Sequence, residues 1–379
     1  MTATAQSATA QSTATAQTAT AQTATAQSAT AQSATAQSAT APAVRGSDFA
    51  VLSRQVRAAN LLQRRRRHYA VRISLTVLAF LLVAAGFVLV GDSWYQLGIA
   101  AVLGLVSTQL AFIGHDGGHQ QVCKSRRAND LIGLLIGDLL VGLSFGWWLD
   151  KHNRHHANPN HEEHDPDIGD SVLAFTTAHV ARRTGGLYRL VARYQAWLFF
   201  PLLCFEGMQL HVASVRSLIQ GNQRRYLRTE WVLLSAHLLV YLAAIFLVLS
   251  PLKALAFLAV HQAIFGIYMG SSFAPNHKGM AVIAPGEQLD FLRRQVLTSR
   301  NVRGGWFTDL LLGGLNYQIE HHLFPNMPRP NLRRAQRLVF QYCQEHQISY
   351  TQTSLVGSYK AALGYLHELG APLRRASQG

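Results

Sequence analysis

Long apolar blocks alternate with polar connections through the middle of the chain. A helix needs roughly 20 apolar residues to cross a bilayer. Four uncharged blocks approach that length, at residues 73–90, 94–113, 231–250 and 254–273. Short connections at 91–93 and 251–253 join these blocks in pairs. The pattern therefore predicts an all-α membrane protein with four transmembrane helices, arranged as two hairpins that open toward the same side.

Two further apolar blocks are less decisive. Residues 131–149 are interrupted by Asp138, and residues 194–205 are short for a span. If the first block crossed the bilayer, the histidine-rich segments 115–119 and 152–164 would lie on opposite faces. A metal site shared by the two segments would then be impossible. We therefore predict that both blocks lie in the membrane interface or re-enter without crossing.

The ends of the chain are polar. Residues 2–40 repeat the letters ATAQ with Ser or Thr between the copies. A tract with so little apolar surface cannot build a core, and it lacks the basic start and apolar centre of a secretory signal. The predicted organisation is a disordered low-complexity tail (1–42), a basic cytosolic segment (43–72), a membrane domain (73–345) and a C-terminal cytosolic tail (346–379).

The formal net charge of +15 would by itself be compatible with a nucleic-acid partner. The basic residues instead flank the apolar blocks, with four arginines at 64–67 and eight more between 293 and 337. This is the bias of cytoplasmic loops in membrane proteins. We expect a multi-pass membrane protein with its active site on the cytoplasmic face, in contact with membrane lipid and without nucleic acid. The three cysteines are too widely spaced for a disulfide framework or a metal pair.

Histidines cluster at the ends of the apolar blocks. The motif HDGGH places His115 and His119 four residues apart, within roughly 40° of each other around a helix. The motif HNRHH places His152, His155 and His156 at spacings of three and four, which again favours one helical face. Imidazole pairs at these spacings are well placed to bind a metal ion.

Two more segments add to the set on the same predicted side. The motif QIEHHLFP contains His321 and His322, and it repeats the spacing of HNRHH with Gln318 in the first position. The segment PNHKG places His277 just beyond the fourth block. Every one of the eight histidines thus lies near a predicted membrane boundary, which favours a single metal centre over separate polar helix ends.

The number of histidines indicates more than one metal ion. Eight imidazoles exceed the four ligands of a tetrahedral zinc site and fit two ions better. Imidazole suits iron, zinc, copper or nickel, so the ligand type does not choose the metal. A dimetal site could activate dioxygen for the oxidation of an acyl chain. The alternative from another class is a non-catalytic membrane protein that binds haem or metal. A zinc protease is disfavoured because HEEH at 161–164 does not have the HExxH spacing.

The remaining histidines are expected to have other roles. His161 and His164 follow HNRHH in the turn that ends its helix, and we expect them to be solvated. Acidic residues of the same turn can accept hydrogen bonds from ligand imidazoles. His237 and His261 lie within apolar blocks and are expected to hydrogen-bond inside the bundle. Surface positions are expected for His68, His179, His211, His346 and His367.

The motifs HDGGH, HNRHH and QIEHHLFP, in this order, resemble the three histidine boxes of the integral-membrane fatty acid desaturase family, over roughly residues 60–345. The glutamine of the third motif is similar to that of front-end and related acyl-CoA or acyl-lipid desaturases. The resemblance implies interfacial helices and a cytosolic helical cap that carries a non-haem site with two iron ions. It leaves open whether Gln318 binds metal directly. The implied metal ligands are His115, His119, His152, His155, His156, His277, His321 and His322.

The resemblance also implies the reaction. Dioxygen and two electrons would remove two neighbouring hydrogens from a fatty acyl chain, held as acyl-CoA or in a lipid, and leave a double bond. Trp147 and Trp148 would line the substrate tunnel or anchor the chain in the interface. No HPGG haem motif occurs in this sequence, so a separate ferredoxin, cytochrome or flavoprotein reductase would supply the electrons. It would dock on the arginine-rich face near Arg293 and Arg294, unless these arginines only face lipid headgroups. A fatty acyl or lipid hydroxylase of the same diiron superfamily is the alternative function.

Overall fold

The computed structural model of the chain describes residues 47–169, 171–221 and 225–375. In the described residues helices dominate and each strand has three residues, so the predicted all-α class is confirmed. The disordered tail predicted for residues 1–42 lies outside the described residues. The elements are, in chain order, α1 (Asp48–Ala58), α2 (Arg66–Val90), α3 (Gln96–Gly118), α4 (Arg126–Leu134), the π-helix π1 (Leu135–Val141), α5 (Phe145–Ala157), α6 (Thr177–Arg182), α7 (Gly186–Leu203), α8 (Glu206–Gln220), α9 (Leu227–Val248), α10 (Pro251–His277), α11 (Phe291–Leu297), β1 (Asn301–Arg303), α12 (Trp306–Leu311), a 3-10 turn (Leu315–Tyr317), α13 (Gln318–Leu323), α14 (Arg329–Glu345), β2 (Gln352–Ser354) and α15 (Leu355–Arg375).

Four helices are long and apolar enough to cross a membrane, and they coincide with the four predicted blocks. These helices are α2, α3, α9 and α10. Two of them continue past the predicted apolar limits, α3 to Gly118 and α10 to His277. The continuation of α3 carries the first histidine motif up to its last residue, His119, which caps the helix, and the continuation of α10 carries His277. Both segments are therefore fixed relative to the bundle.

The two hairpins meet where α3 packs along α10. Gly104 permits the close approach, because a Cβ at this position would lie 3.0 Å from the side chain of Ile264 and from the backbone nitrogen of Phe265. The outer faces of the other two long helices remain apolar, with Leu82 on α2 and Leu247 on α9 both exposed. Exposed apolar faces are expected where lipid takes the place of water around the bundle.

Both of the less decisive apolar blocks form sharply bent helix pairs. The helical segment Arg126–Val141 bends by 115° into α5, and α7 bends by 79° into α8. Within the first pair, α5 brings His152 beside His115 and His119, with ligand nitrogens within 4.8 Å of one another. Residues 126–157 therefore return to the side from which they entered, as the argument from a shared site predicts.

The bend lies in residues 135–146, which we call the re-entrant turn, and two histidines hold its carbonyl groups. Nδ1 of His237 on α9 lies 2.9 Å from the carbonyl oxygen of Leu139. Nε2 of His211 on α8 lies 3.2 Å from the carbonyl oxygen of Val141. Both carbonyl groups lie at the C-terminal end of π1, where a helix leaves carbonyl groups without partners, and at membrane depth lipid cannot replace these partners. The predicted hydrogen bond of His237 within the bundle is confirmed, whereas the surface position predicted for His211 is wrong because that ring serves the same turn.

Two buried carboxylates hold the amide groups on the other side of the turn. The backbone amide of Phe145 donates to Asp138 at 3.2 Å. Oε1 of Glu230 on α9 accepts from the backbone amide of Gly146 at 2.6 Å and from the Ser144 hydroxyl at 3.0 Å. A carboxylate at a helix N-terminus also interacts favourably with the helix dipole. The residue that interrupts the apolar block is thus a structural part of the turn.

The N-terminal part of the described chain folds with the residues around the third histidine motif. Leu52 and Val56 of α1 are fully buried in an apolar cluster with Leu292 of α11 and Val339 of α14. We call these packed elements, α1, α11, α13 and α14, the cap. Over its described part, the predicted basic segment 43–72 contains α1, which belongs to the cap, and the start of α2 at Arg66.

The C-terminal residues differ from the predicted tail at 346–379. Strand β2 pairs in parallel with β1, and α15 packs against α7 and α10. The approach to α7 is close, because a Cβ at Gly370 would lie 2.7 Å from the carbonyl oxygen of Ala192. The Ser358 hydroxyl donates to the carbonyl oxygen of Pro275 at 2.6 Å. Burial of apolar residues such as Leu366 explains why this segment folds.

Replacement of Glu230 tests the role of the re-entrant turn. Glu230→Ala leaves the Gly146 amide and the Ser144 hydroxyl without their acceptor, and we expect a loss of about 3 kcal/mol in stability. The variant should unfold at a lower temperature and retain less metal, measured by thermal unfolding and by metal analysis of the purified protein. Glu230→Gln keeps one acceptor oxygen, so its melting temperature and metal content should lie between those of the unchanged protein and of Glu230→Ala.

Asp92→Ala is the matched control, because Asp92 is an exposed carboxylate that also accepts hydrogen bonds, from Ser250, at the other end of the bundle. It should retain metal like the unchanged protein. Equal metal retention by Glu230→Ala would show that the carboxylate does not hold the turn in place.

Candidate metal centre

The structure brings all eight predicted histidines together at one end of the bundle, and each of them is buried. The ends of α3 and α10 contribute three of them, α5 contributes three, and the short helix α13 contributes two. Four separate parts of the chain thus converge on one buried cluster. We divide the cluster by its ligand nitrogens into a first histidine group, His115, His119, His152 and His321, and a second histidine group, His155, His277 and His322.

Distances within the groups suit metal binding. The nitrogens that could bind metal lie within 4.8 Å of one another in each group. His156 lies between the groups, with its Nε2 3.1 Å from Nε2 of His152 and its ring stacked on that of His322 at 4.1 Å between centroids. The arrangement has two neighbouring centres and one histidine at their boundary, which fits two metal ions better than one.

Helical spacing explains how the motifs divide between the groups. His115 near the end of α3 and His119, the residue that caps it, have ring centroids 4.7 Å apart and belong to the same group. On α5 the step of three residues from His152 to His155 leaves the rings 6.0 Å apart, and the two fall into different groups. The motif HNRHH therefore contributes to both groups. The prediction that its three histidines share one helical face did not include this division.

The rings of the second histidine group are oriented through their Nδ1 atoms. A ring that donates from Nδ1 presents the lone pair of Nε2 to a metal. Each of the three rings has a buried acceptor 2.9–3.0 Å from Nδ1. The pairs are His155 with the Asp165 carboxylate, His277 with the carbonyl oxygen of Thr298, and His322 with Oε1 of Gln295.

Asp165 is the best connected of these acceptors. Besides the two contacts to His155, it accepts hydrogen bonds from the backbone amides of Asn160 at 2.7 Å and Asp167 at 2.8 Å. The turn after HNRHH therefore supplies the acidic partner that its composition predicted. Gln295 was not found from the sequence, although its amide also donates to the carbonyl oxygen of His156 at 3.0 Å. No spacing signal marks it, because it lies on a different helix from both histidines.

A buried ion pair supports the first histidine group. Nδ1 of His115 lies 3.4 Å from the carboxylate of Asp116, and Arg329 forms an ion pair with the same carboxylate at 2.7 Å. Arg329 also donates to the carbonyl oxygen of Phe112 at 3.0 Å. From the sequence, this arginine is expected only as one of the basic residues that flank the apolar blocks. A buried charge pair of this kind is strongly disrupted when one partner is removed.

Electrostatics keep most of the rings outside the spans neutral. Burial, together with neighbouring imidazoles, lowers the pKa of these rings well below the usual value. Burial also acts on His155, but the carboxylates of Asp165 and Asp167 outweigh it and raise the pKa of His155. Neutral imidazole is the form that binds metal. His155 must therefore release a proton when a metal ion binds to it. The rings with lowered pKa are His119, His152, His156, His321 and His322.

The hydrogen bonding of the cluster fits a metal ion. Buried polar atoms normally have a partner. Among the described residues, four buried Nε2 atoms of the cluster have no hydrogen-bond partner, those of His115, His119, His321 and His322. A metal ion would satisfy these atoms, whereas a cluster with only a structural role would leave them without partners.

Gln318 also lies in the cluster. Its Nε2 is 2.9 Å from Nε2 of His277, and its Oε1 accepts from the side-chain amide of Asn276 at 3.2 Å. The side chain is therefore at the edge of the second histidine group, where HNRHH has its first histidine in the equivalent motif position. Because Nδ1 of His277 faces the carbonyl oxygen of Thr298, Gln318 lies beside the nitrogen of His277 that would bind metal.

The two tryptophans differ in their relation to the cluster. Trp148 stacks on His152, with ring centroids 4.7 Å apart, and lies 5.4 Å from the ring of His115. Trp147 is half-buried, and its backbone amide donates to the Ser144 hydroxyl at the start of α5. Trp148 is thus part of the wall of the first histidine group.

The other histidines lie outside the two groups. His161 and His164 stack on each other at 4.4 Å and belong to neither group, in agreement with the prediction. His261 lies 2.5 Å from the Tyr241 hydroxyl, which confirms a hydrogen bond within the bundle. The surface position predicted for His179 is wrong, because α6 is covered by α15. His68, His346 and His367 are exposed, as predicted.

Replacement of Asp165 tests the orientation of the second histidine group. Asp165→Asn removes the charge and weakens the acceptor for Nδ1 of His155, and loss of such a partner lowers metal affinity by roughly 10- to 100-fold. Metal per chain after dialysis against a graded chelator measures the change. Glu163→Gln is the matched control, because Glu163 is an exposed acid on the same turn. Equal metal retention by both variants would contradict the orienting role.

Comparison with known proteins agrees with this arrangement. A family model described as "Fatty acid desaturase" matches residues 92–354, which is more than half of the chain. This range contains all three histidine motifs and all four parts of the chain that contribute histidines to the cluster.

Curated relatives include desaturases from a moss, a nematode and a protist. The Acyl-lipid (9-3)-desaturase of Physcomitrium patens is 31% identical over 282 residues, 72% of this chain and 53% of that protein. The Delta(6)-fatty-acid desaturase of Caenorhabditis elegans is 31% identical over 301 residues, 76% of this chain and 68% of that protein. The Delta(8)-fatty-acid desaturase of Euglena gracilis is 33% identical over 313 residues, 80% of this chain and 74% of that protein. The chain thus spans about half the length of the first relative. These matches confirm the family inferred from the histidine motifs: the chain belongs to the fatty acid desaturase family.

Proposed function

We propose that the chain is a membrane fatty acid desaturase that introduces a double bond into a fatty acyl chain, in lipid metabolism. In the balanced reaction one dioxygen, two electrons and two protons, together with two hydrogens from neighbouring carbons, yield two waters and the double bond. The observation that carries the proposal is the pair of buried histidine groups next to four membrane helices. The names of the relatives support the same reaction.

We propose iron as the metal, with the eight histidines as ligands. When bound, two iron ions would supply the redox chemistry that activates dioxygen. The chain's own residues would hold neutral imidazoles in place, through Asp165, Thr298 and Gln295 in the second histidine group. Gln318 lies beside Nε2 of His277, the atom that would bind metal, so we propose that its side chain lies next to the second metal ion and contacts it directly or through water. Imidazole-rich sites with open positions are typical of redox iron as well as of other metals.

The acyl substrate is proposed to lie against the first histidine group. Trp148 is the candidate wall residue, because its ring stacks on His152. Positioning one pair of neighbouring methylenes beside the metals is the main task of the protein in such a reaction. We propose Trp147 as an interface anchor, since its side chain is half-buried at the start of α5. The substrate would be presented as acyl-CoA or within a lipid.

Electrons are proposed to come from a separate ferredoxin, cytochrome or flavoprotein reductase. A basic surface attracts acidic redox proteins. Arg333, Arg334 and Arg337 lie exposed along α14 of the cap and are better candidates for this surface than Arg294. The guanidinium of Arg294 donates to the carbonyl oxygen of Ala157 at 2.7 Å, so it is part of the support of α5. We propose that the cap lies on the cytoplasmic face, because arginine-rich segments favour that side of the membrane.

Expression in a host that lacks the corresponding desaturation tests the function. We expect new fatty acids that are lighter by two hydrogens, identified by mass spectrometry with the double bond located, and iron in the purified protein. His155→Ala should reduce the product to background and lower the iron content, because it removes a ligand of the second histidine group. His164→Ala should keep both, since His164 is exposed and outside the groups.

A product with one added oxygen would indicate a hydroxylase of the same superfamily. Unchanged lipids in the presence of iron-loaded protein and a competent reductase would contradict catalysis of either kind.

A further inference from the structure

A groove of about 700 Å³ opens on the outer surface of the bundle, between α2, α3, α10 and α12. Its volume falls in the range of sites that bind small molecules. None of the residues that line it belongs to the two histidine groups. The groove is therefore a feature separate from the candidate metal centre.

One face of α2 forms the length of the groove, and its chemistry changes along the helix. The lining begins with Arg67 and His68, continues through Arg72 and Leu75, and ends at Ala79. The twelve helical steps from Arg67 to Ala79 correspond to about 18 Å along the axis. The groove is thus basic at the cap end and apolar toward the middle of the span, which matches a ligand with an anionic head and a hydrocarbon chain.

Arg72 is the central feature of the basic end. Its guanidinium donates to Oε1 of Gln109 at 2.6 Å, and the Gln109 amide donates to the Tyr268 hydroxyl at 2.6 Å. The Nε of Arg72 is buried without a hydrogen-bond partner among the described residues. Within the described chain neither Arg67 nor Arg72 forms an ion pair, and no acidic residue lines the groove. An arginine inside a membrane helix is costly unless it is paired, so this end favours an anion.

The apolar end is open toward the bilayer. Leu75 on α2 is 62% exposed and Phe307 on α12 is 60% exposed, and they face the same groove. A polar ligand such as free phosphate would leave these side chains uncovered. An acyl chain of the surrounding membrane would cover them with apolar surface on both sides.

We propose that this groove binds one anionic glycerophospholipid of the surrounding membrane, with its phosphate against Arg67 and Arg72 and one acyl chain along Leu75 and Phe307. The site goes beyond the proposed catalysis and does not depend on it. The bound lipid would also stabilise the chain segment that leads from α12 to the third histidine motif. The Tyr268 hydroxyl of the groove donates to the carbonyl oxygen of Leu311 at 2.7 Å, at the end of α12.

Native mass spectrometry of the purified full chain tests the proposal. The protein in detergent is offered phosphatidylglycerol or, as the matched neutral lipid, diacylglycerol with the same chains. We expect one phosphatidylglycerol to be retained per chain, with roughly tenfold weaker retention of diacylglycerol. The double variant Arg67→Gln/Arg72→Gln should lose the preference for the phosphate, and bound phosphatidylglycerol should raise the melting temperature of the unchanged protein only.

Two further variants separate the groove from general charge effects. Arg333→Gln/Arg334→Gln removes the same charge from the exposed face of the cap and should keep the phospholipid. Ala79→Trp fills the apolar end without changing charge and should lose it. Equal retention of the two lipids by the unchanged protein, or equal loss from both arginine double variants, would overturn the proposal. Iron content, measured on the same samples, reports separately on the metal centre.

Discussion

The re-entrant turn is the constraint on which the rest of the structure depends. The histidines of α5 can join those of α3 only if residues 126–157 turn back inside the bundle. A turn at that depth carries peptide groups that helix geometry no longer pairs, and lipid offers them no partner. Glu230, His211 and His237 from α8 and α9 provide these partners. The metal centre therefore depends on these polar residues of α8 and α9, although they lie outside the two histidine groups.

The cluster combines rigid placement with a low charge. Eight imidazoles packed together could not all be protonated, and burial favours their neutral forms. Hydrogen-bond acceptors then decide which nitrogen faces the centre, as Asp165 does for His155 and Gln295 does for His322. The second histidine group is oriented by three different kinds of acceptor, a carboxylate, a carbonyl and an amide. The first relies on the buried pair of Asp116 and Arg329.

Much of this was predictable from the sequence, because periodicity and spacing are local. The four spans follow from the apolar blocks, and the three histidine motifs follow from their spacing. The orienting residues Gln295 and Thr298 lie far from their histidines in sequence, so only the fold brings them together. From the sequence alone, helix α15 is also not predicted, because its apolar face is buried only by packing against α7. His179 was placed at the surface for the same reason.

The metal centre can form only if the first two histidine motifs lie on one side of the membrane. This condition is tested most directly by labelling with a membrane-impermeant thiol reagent, in a chain with Cys123→Ala and Cys204→Ala. Cysteines are introduced one at a time at three exposed positions, Ser125, Glu163 and Tyr95. We predict that positions 125 and 163 react from the same side and position 95 from the other. Reaction of 125 and 163 from opposite sides would contradict this prediction.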